Sequence, residues 1–429
     1  MAANLSSSLT RTQPDARAPA AAKTGRPRLW ELDAVRGLML VLMLSTHLPT
    51  KFAIPASQPF GFVSAAEGFV LLSAYMAGLV YTQRYMRDGL TAMHKAFLRR
   101  ALVVYACQAA CLVFLFTLIA VLGLAIPQPD VQHLMWYYLQ QPTTALLSAL
   151  ALIYNPPLLD ILPIYVIFML ISPWVLSIGL RHGWRTILTV SGLLWFATQF
   201  GLSQYLYSWL VQLTGLPVPF SETGAFETFG WQLLWIFGLW LGSTHARVPA
   251  EARRPFPRVL VVGAALVAGT FFIWRHLTGQ APFPDGEAIN FLWDKWHLAP
   301  MRLLNVFALV VLAMHYNGWL KQHMPRVRFL ETMGQSSLSV FCAHLVLVLL
   351  ALCMVGVATP ARSSWVDAVL YIGSVIVLYG VAVIMRSGKA AAASRQQAKP
   401  AGKAATVAGK APTLAGATAG KVCVNRGER

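Results

Sequence analysis

The sequence predicts an all-α integral membrane protein of about ten transmembrane helices, with both termini on the cytoplasmic side. Charged residues make up 12% of the chain, against about 25% in a soluble domain, and 57% of residues are hydrophobic. The mean hydropathy of +0.57 fits an outer surface that meets lipid rather than water. Lys and Arg, 34 in all against 16 acids, gather on alternate sides of successive apolar stretches, and such a bias orients membrane helices.

A crossing needs about 20 mostly apolar residues, with about 17 as the lower limit. Stretches of that kind occupy 32–49, 61–83, 101–126, 159–180, 186–206, 228–245, 258–275, 298–317, 333–356 and 365–385. Residues 131–154 are broken by Gln132, His133, Gln140, Gln141 and Pro142. Trp136, Tyr137 and Tyr138 suit a membrane interface, so this segment is expected to lie on the outer surface, as an interfacial or re-entrant piece rather than an eleventh span. Basic residues support the order. The predicted inner segments hold five before the first span, then five, two, four, three, and nine in the C-terminal tail. The predicted outer segments hold only Lys51, Arg275, Lys295 and Arg362, while Arg36 and Arg302 fall inside spans.

The domain plan is a basic disordered tail over 1–29, a transmembrane domain over 30–386, and an Ala/Gly/Lys-rich disordered tail over 387–429. Neither tail can bury an apolar face. The lysines of the second could touch anionic inner-leaflet lipid at about 1 kcal/mol each, or the tail could simply be solvated. The formal charge of +18 is explained by this topology, and no nucleic-acid partner is expected. The first 30 residues lack the apolar core of a secretory signal. Five cysteines show no CxxC or Cys/His spacing, so free thiols and no metal site are expected. No P-loop, GxSxG, HExxH or strand-helix GxGxxG is present, which removes ATPase, serine-hydrolase and Rossmann chemistry.

Ionisable groups inside a membrane cost about 2.5–3.5 kcal/mol or more at a helix centre and mark function by default. The first span carries Glu31, Asp33, Arg36 and His47. At about 100° and 1.5 Å per residue, Arg36 and His47 share one helix face about 16 Å apart. Asp33, three residues before Arg36, can pair with it. Glu67 falls in the second span, beside Ser64, Ala65 and Gly68, whose small side chains admit a neighbouring helix. A histidine with a nearby carboxylate is the minimum for general-base catalysis. Asp33 and Arg36 also read as a helix-pinning ion pair and His47 as an interfacial residue, but that leaves Glu67 without a reason. His344 reads equally as a hydrogen-bonded core histidine or a substrate contact. Asp294, Lys295 and His297 precede the eighth span at the outer rim, with Arg302 and Asn305 inside it, and suit either a polar acceptor or an interfacial anchor.

LDAVRGLMLVLMLSTH resembles the first helix of the acyltransferase-3-like membrane superfamily, marked by an Arg and a His with ten residues between, here Arg36 and His47. GFVSAAEGFVLLSAYMAGLVYTQRYMRDGL, DKWHLAPMRLLNVFALV and LETMGQSSLSVFCAHL are similar to the OpgC branch, the succinyltransferases of osmoregulated periplasmic glucans. The resemblance implies an acyltransferase-3-like bundle in a bacterial inner membrane, with His47 as base and Asp33, Arg36 and Glu67 as its polar support. It implies no bound cofactor. Acyl-CoA, by resemblance succinyl-CoA, is the expected co-substrate, arriving from the cytoplasm toward Arg36. A periplasmic glucan or other glycan is the expected acceptor, with Glu67 steadying the imidazolium and Asp294, Lys295, Arg302 and His344 as binding residues. A proton-coupled transporter or flippase using the same charges is the alternative reading.

Overall fold

The computed structural model describes residues 29–398 apart from 127, 250, 251, 285 and 360. The tail over 1–28, Cys423 and the chain beyond 398 lie outside the described residues. Helix α1 (Trp30–His47) ends where Leu48 turns extended before Pro49, because a residue ahead of proline is pushed out of the helical region. His47 is therefore the last residue of its helix. Lys321 pairs with Glu31 at 2.5 Å at the opposite end.

Helix α2 (Ala65–Phe114) runs on through a π-helical turn at Leu115–Ile119 to Ala125, 61 residues in all. At 1.5 Å per residue this is roughly 90 Å, about three times the hydrocarbon thickness, so it cannot be one straight crossing. Gly89, at φ +83, reverses it. Tyr81 and Phe97, on either side of that glycine, stack with ring centres 3.7 Å apart, which a straight helix would forbid. The second and third predicted spans are the two limbs of this hairpin. The first limb starts at Ala65 rather than 61, because Ser64 caps it.

Then follow short helices at Pro129–Leu134, Trp136–Gln140 and Pro142–Leu150, each too short to cross, in the stretch expected to be interfacial. Helix α3 (Ile161–His182) is a long apolar helix. The fifth predicted span, 186–206, is not one helix. α4 (Arg185–Thr198) stops before Gly201, itself at φ +83, and α5 (Leu202–Thr214) leaves at 81° with no buried residue. Apolarity alone carried the prediction past a glycine in the left-handed region, where a helix ends. α6 (Thr228–Arg247) and α7 (Arg258–Thr278) follow. α8 (Pro300–His315) bends by 63° into Asn317–His323. The ninth predicted span divides into α9 (Arg328–Gln335) and α10 (Ser337–Val355), and α11 (Ser364–Ala398) closes the bundle. α11 runs past 387, where the tail was expected to start, through the Ala-rich run that favours helix.

No strand is present among the described residues. Among the described residues five helices are long and apolar enough to cross a membrane, or seven if each bent pair is one span, so the protein is a multi-pass membrane protein. α1 is not among them, since it carries three charges, Glu31, Asp33 and Arg36. Cys107, Cys111, Cys342 and Cys353 are free thiols.

α1 and α9 cross backbone to backbone. A Cβ on Gly334 would overlap the Asp33 carbonyl oxygen, and one on Gly37 the Leu330 carbonyl oxygen. Close approach of this kind relies on residues without side chains. Gly334→Ala is expected to lower stability by about 1–3 kcal/mol or more, read as an earlier thermal midpoint of the purified protein. An unchanged midpoint would show that α9 can move away freely.

Candidate functional site

α1 carries polar groups at both its ends, and each end borders an opening. At the end near Arg36 is a narrow cleft of about 20 Å³ lined by Arg36, Arg100, Tyr165, Ser337, Phe69 and Phe341, room for about one water. Arg36 lies 4.0 Å from Asp33 and donates to Ser337 Oγ. At the His47 end opens a cavity of about 1270 Å³, whose lining includes Thr46, Ser64, Trp293, Asp294, Lys295 and Arg302.

That end of α1 is tied to the last helix. Ser45 Oγ donates to Tyr371 Oη (3.0 Å), the Lys51 amide to Asp367 Oδ2 (2.9 Å), and Arg362 pairs with Asp367 at 2.6 Å and donates to the Pro49 carbonyl. His47, partly exposed, meets His344, which is fully buried. Their Nδ1 and Nε2 atoms lie 3.0 Å apart, and His344 Nδ1 is 3.1 Å from the Phe341 carbonyl oxygen.

Glu67 is not His47's partner. It sits at the third position of α2, where it accepts hydrogen bonds from the Ser64 amide (3.1 Å) and hydroxyl. Ser64-Ala65-Ala66-Glu67 is the S-x-x-E capping box, a signal the sequence carried. Its other oxygen accepts from Arg302 Nε at 2.6 Å in an ion pair exposed by 1% and 0%. Burying both charges requires this match, since an unmatched one costs several kcal/mol. Gly68 packs against Met39 of α1, the helix contact that its small size foreshadowed.

The loop at 294–299 forms one wall of the cavity. Trp231 and Trp195 indole groups donate to the Trp296 and Leu298 carbonyls (3.0 and 2.9 Å), and Gln199 to that of His297 (3.0 Å). Leu298 is held at φ +52, a region costly for leucine. Lys295 stands 4.5 Å over the Trp296 ring and 5.5 Å over Phe226. It lies within electrostatic reach of His47, Glu67, Arg302, Asp294 and Asp160. Burial holds its ammonium below the ordinary lysine value; Glu67, Asp160 and Asp294 offset part of this and Arg302 adds to it. Asp160 itself, just ahead of α3, accepts the Ala225 amide at 3.1 Å.

Asp294 and His297 make a 2.6 Å pair, with Glu227 3.7 Å from the same ring. The hydrogen bond to Asp294 raises His297 above its ordinary value, against burial. Burial pushes Asp294 up, but the His297 side chain and amide outweigh it and leave it low. A raised histidine stabilises the fold below its ordinary value of about 6.5 and loses this as pH rises through the folded value; a lowered aspartate acts above about 3.9 and loses it as pH falls. The pair therefore strengthens this wall between those limits. In Asp294→Asn the His297 titration should move down from its raised position, as followed by histidine NMR. An unmoved titration would mean that Glu227, not Asp294, sets it.

Of the residues singled out from sequence, the fold groups His47 with His344, Glu67 with Arg302, Asp294 with Lys295 along one cavity wall, and Asp33 with Arg36 at the other end of α1. It adds Trp293, Arg100, Tyr165 and Ser337, the last inside the GQSS stretch. These features define a helical, multi-pass membrane protein with a buried polar site between two openings. The chain belongs to the OpgC protein family, which it matches over residues 28–390. Membership implies a transferase with a glucan-modifying, acyltransferase-like role. No curated protein and no solved structure matches the chain.

Proposed function

We propose that the protein transfers an acyl group, succinyl by preference, from cytoplasmic acyl-CoA to hydroxyls of a periplasmic glucan, with His47 as general base. One observation carries the reading: α1 reaches both openings, with Arg36 lining the cleft and Thr46, the residue before His47, lining the cavity. Positive-inside bias assigns the Arg36 end to the cytoplasm, where Arg36 and Arg100 would meet the CoA phosphates. The acceptor hydroxyl, in the wide cavity, gives its proton to His47 as its oxygen attacks the thioester carbonyl. The C–S bond breaks, and the proton passes from the imidazolium to the leaving thiolate. Trp296 and Trp293 offer faces for a sugar ring.

A free carboxylate on the acyl group would find matching charge. Lys295 has no carboxylate within ion-pair distance among the described residues, and Arg302 Nη2 and Trp293 Nε1 have no hydrogen-bond partner. Burying unmet donors is costly, and a carboxylate would satisfy them. Purified protein with glucan should release CoA faster from succinyl-CoA than from acetyl-CoA. Absence of CoA release with either donor would favour a proton-coupled transporter; equal release would remove the succinyl preference.

A further inference from the structure

We propose that His344 is a positioning residue that locks His47 in the tautomer a general base requires. The inference rests on the reading of His47 as base, and two contacts fix the protons. The Phe341 carbonyl can only accept, so His344 Nδ1, 3.1 Å away, carries a hydrogen. A neutral imidazole with its proton on Nδ1 has a lone pair on Nε2. That lone pair faces His47 Nδ1 at 3.0 Å, so His47 must donate there and keeps its own Nε2 unprotonated. The ring centres are 5.2 Å apart and the planes within 25°, so the rings meet nitrogen to nitrogen and nearly in one plane, the geometry of an in-line N–H···N bond.

The arrangement has the logic of a base oriented by a third group, with one difference that suits its place. The third group is a neutral imidazole in a fully buried position, where a carboxylate would bring an uncompensated charge into the bilayer. When His47 takes the acceptor's proton on Nε2, its Nδ1–H still donates to His344, and the new charge is shared along the bond without a second proton moving. The main-chain carbonyl of Phe341 cannot be mutated away, which makes the chain of donors a property of the fold of α10.

The test uses the full-length protein with ¹⁵N-labelled histidine, the His47 signals being assigned by their loss in His47→Ala. In the wild type the His47 proton is expected on Nδ1 with Nε2 bare. His344→Leu should lose that single tautomer and lower kcat about 10²-fold with KM within twofold, while His344→Gln, whose amide oxygen can accept from Nδ1, should recover part of kcat. Wild-type kcat in a folded His344→Leu overturns the proposal and leaves the base assignment standing; a wild-type proton on Nε2 overturns the proposal and leaves His47 only Nδ1 to act through. An active His47→Ala overturns the base assignment and this proposal with it.

Discussion

His47→Ala is expected to cut acyl transfer about 10²–10⁴-fold, the range that general-base catalysis contributes. The substitution also strands the His344 Nε2 lone pair in a fully buried position, at about 1–3 kcal/mol. Lost activity must therefore be separated from lost protein. Quantifying acyl groups on glucan from cells with matched amounts of the variant does so. Because Arg36 sits at the other end of α1, donor binding should survive, and the loss should appear in kcat. Normal acylation at normal protein levels would remove His47 from the chemistry and return the intramembrane charges to the transport reading.

Arg302→Met is the second large effect, and it acts on stability. The variant leaves the Glu67 carboxylate, 0% exposed, with only the Ser64 amide and hydroxyl, and breaking one side of a buried ion pair costs about 3–5 kcal/mol. Glu67→Gln with Arg302→Met should be more stable than Arg302→Met alone, since the neutral amide can still accept from Ser64 and no buried charge remains. Thermal unfolding of the three proteins in one detergent reads this. If the double variant is no better than the single, Arg302 acts through packing rather than charge. Activity should fail in both, as both lose a cationic group from the cavity lining.

Helices that follow from local pattern were legible: α1, α3 and α7 lie within a few residues of their expected bounds. Hydrophobicity misled where a backbone conformation decided the outcome, at Gly201 and at Ser64. Long-range partners were not legible. His47 and His344 are 297 residues apart, Arg36 and Ser337 301, and Glu67 and Arg302 235. Each residue announced itself as an anomaly in an apolar stretch, but which helices adjoin is settled by packing, and one sequence holds no record of it. Glu67 was therefore assigned to the nearest histidine in sequence instead of an arginine six helices on.

The disparity between the two openings bears on the cell's energy supply. A membrane that stores an electrochemical gradient puts about 2.3 kcal/mol per 100 mV on every elementary charge, and a catalyst wetted from both faces would drain it. Phe69 and Phe341, stacked at 5.9 Å beside Arg36, line the cleft and leave it only about 20 Å³, so on this side little room is left for water or ions. Phe341 also rests 5.2 Å from the His344 ring. The side chain that narrows the cleft thus also backs the histidine pair, so the insulation of one face and the packing of the other depend on a single phenylalanine.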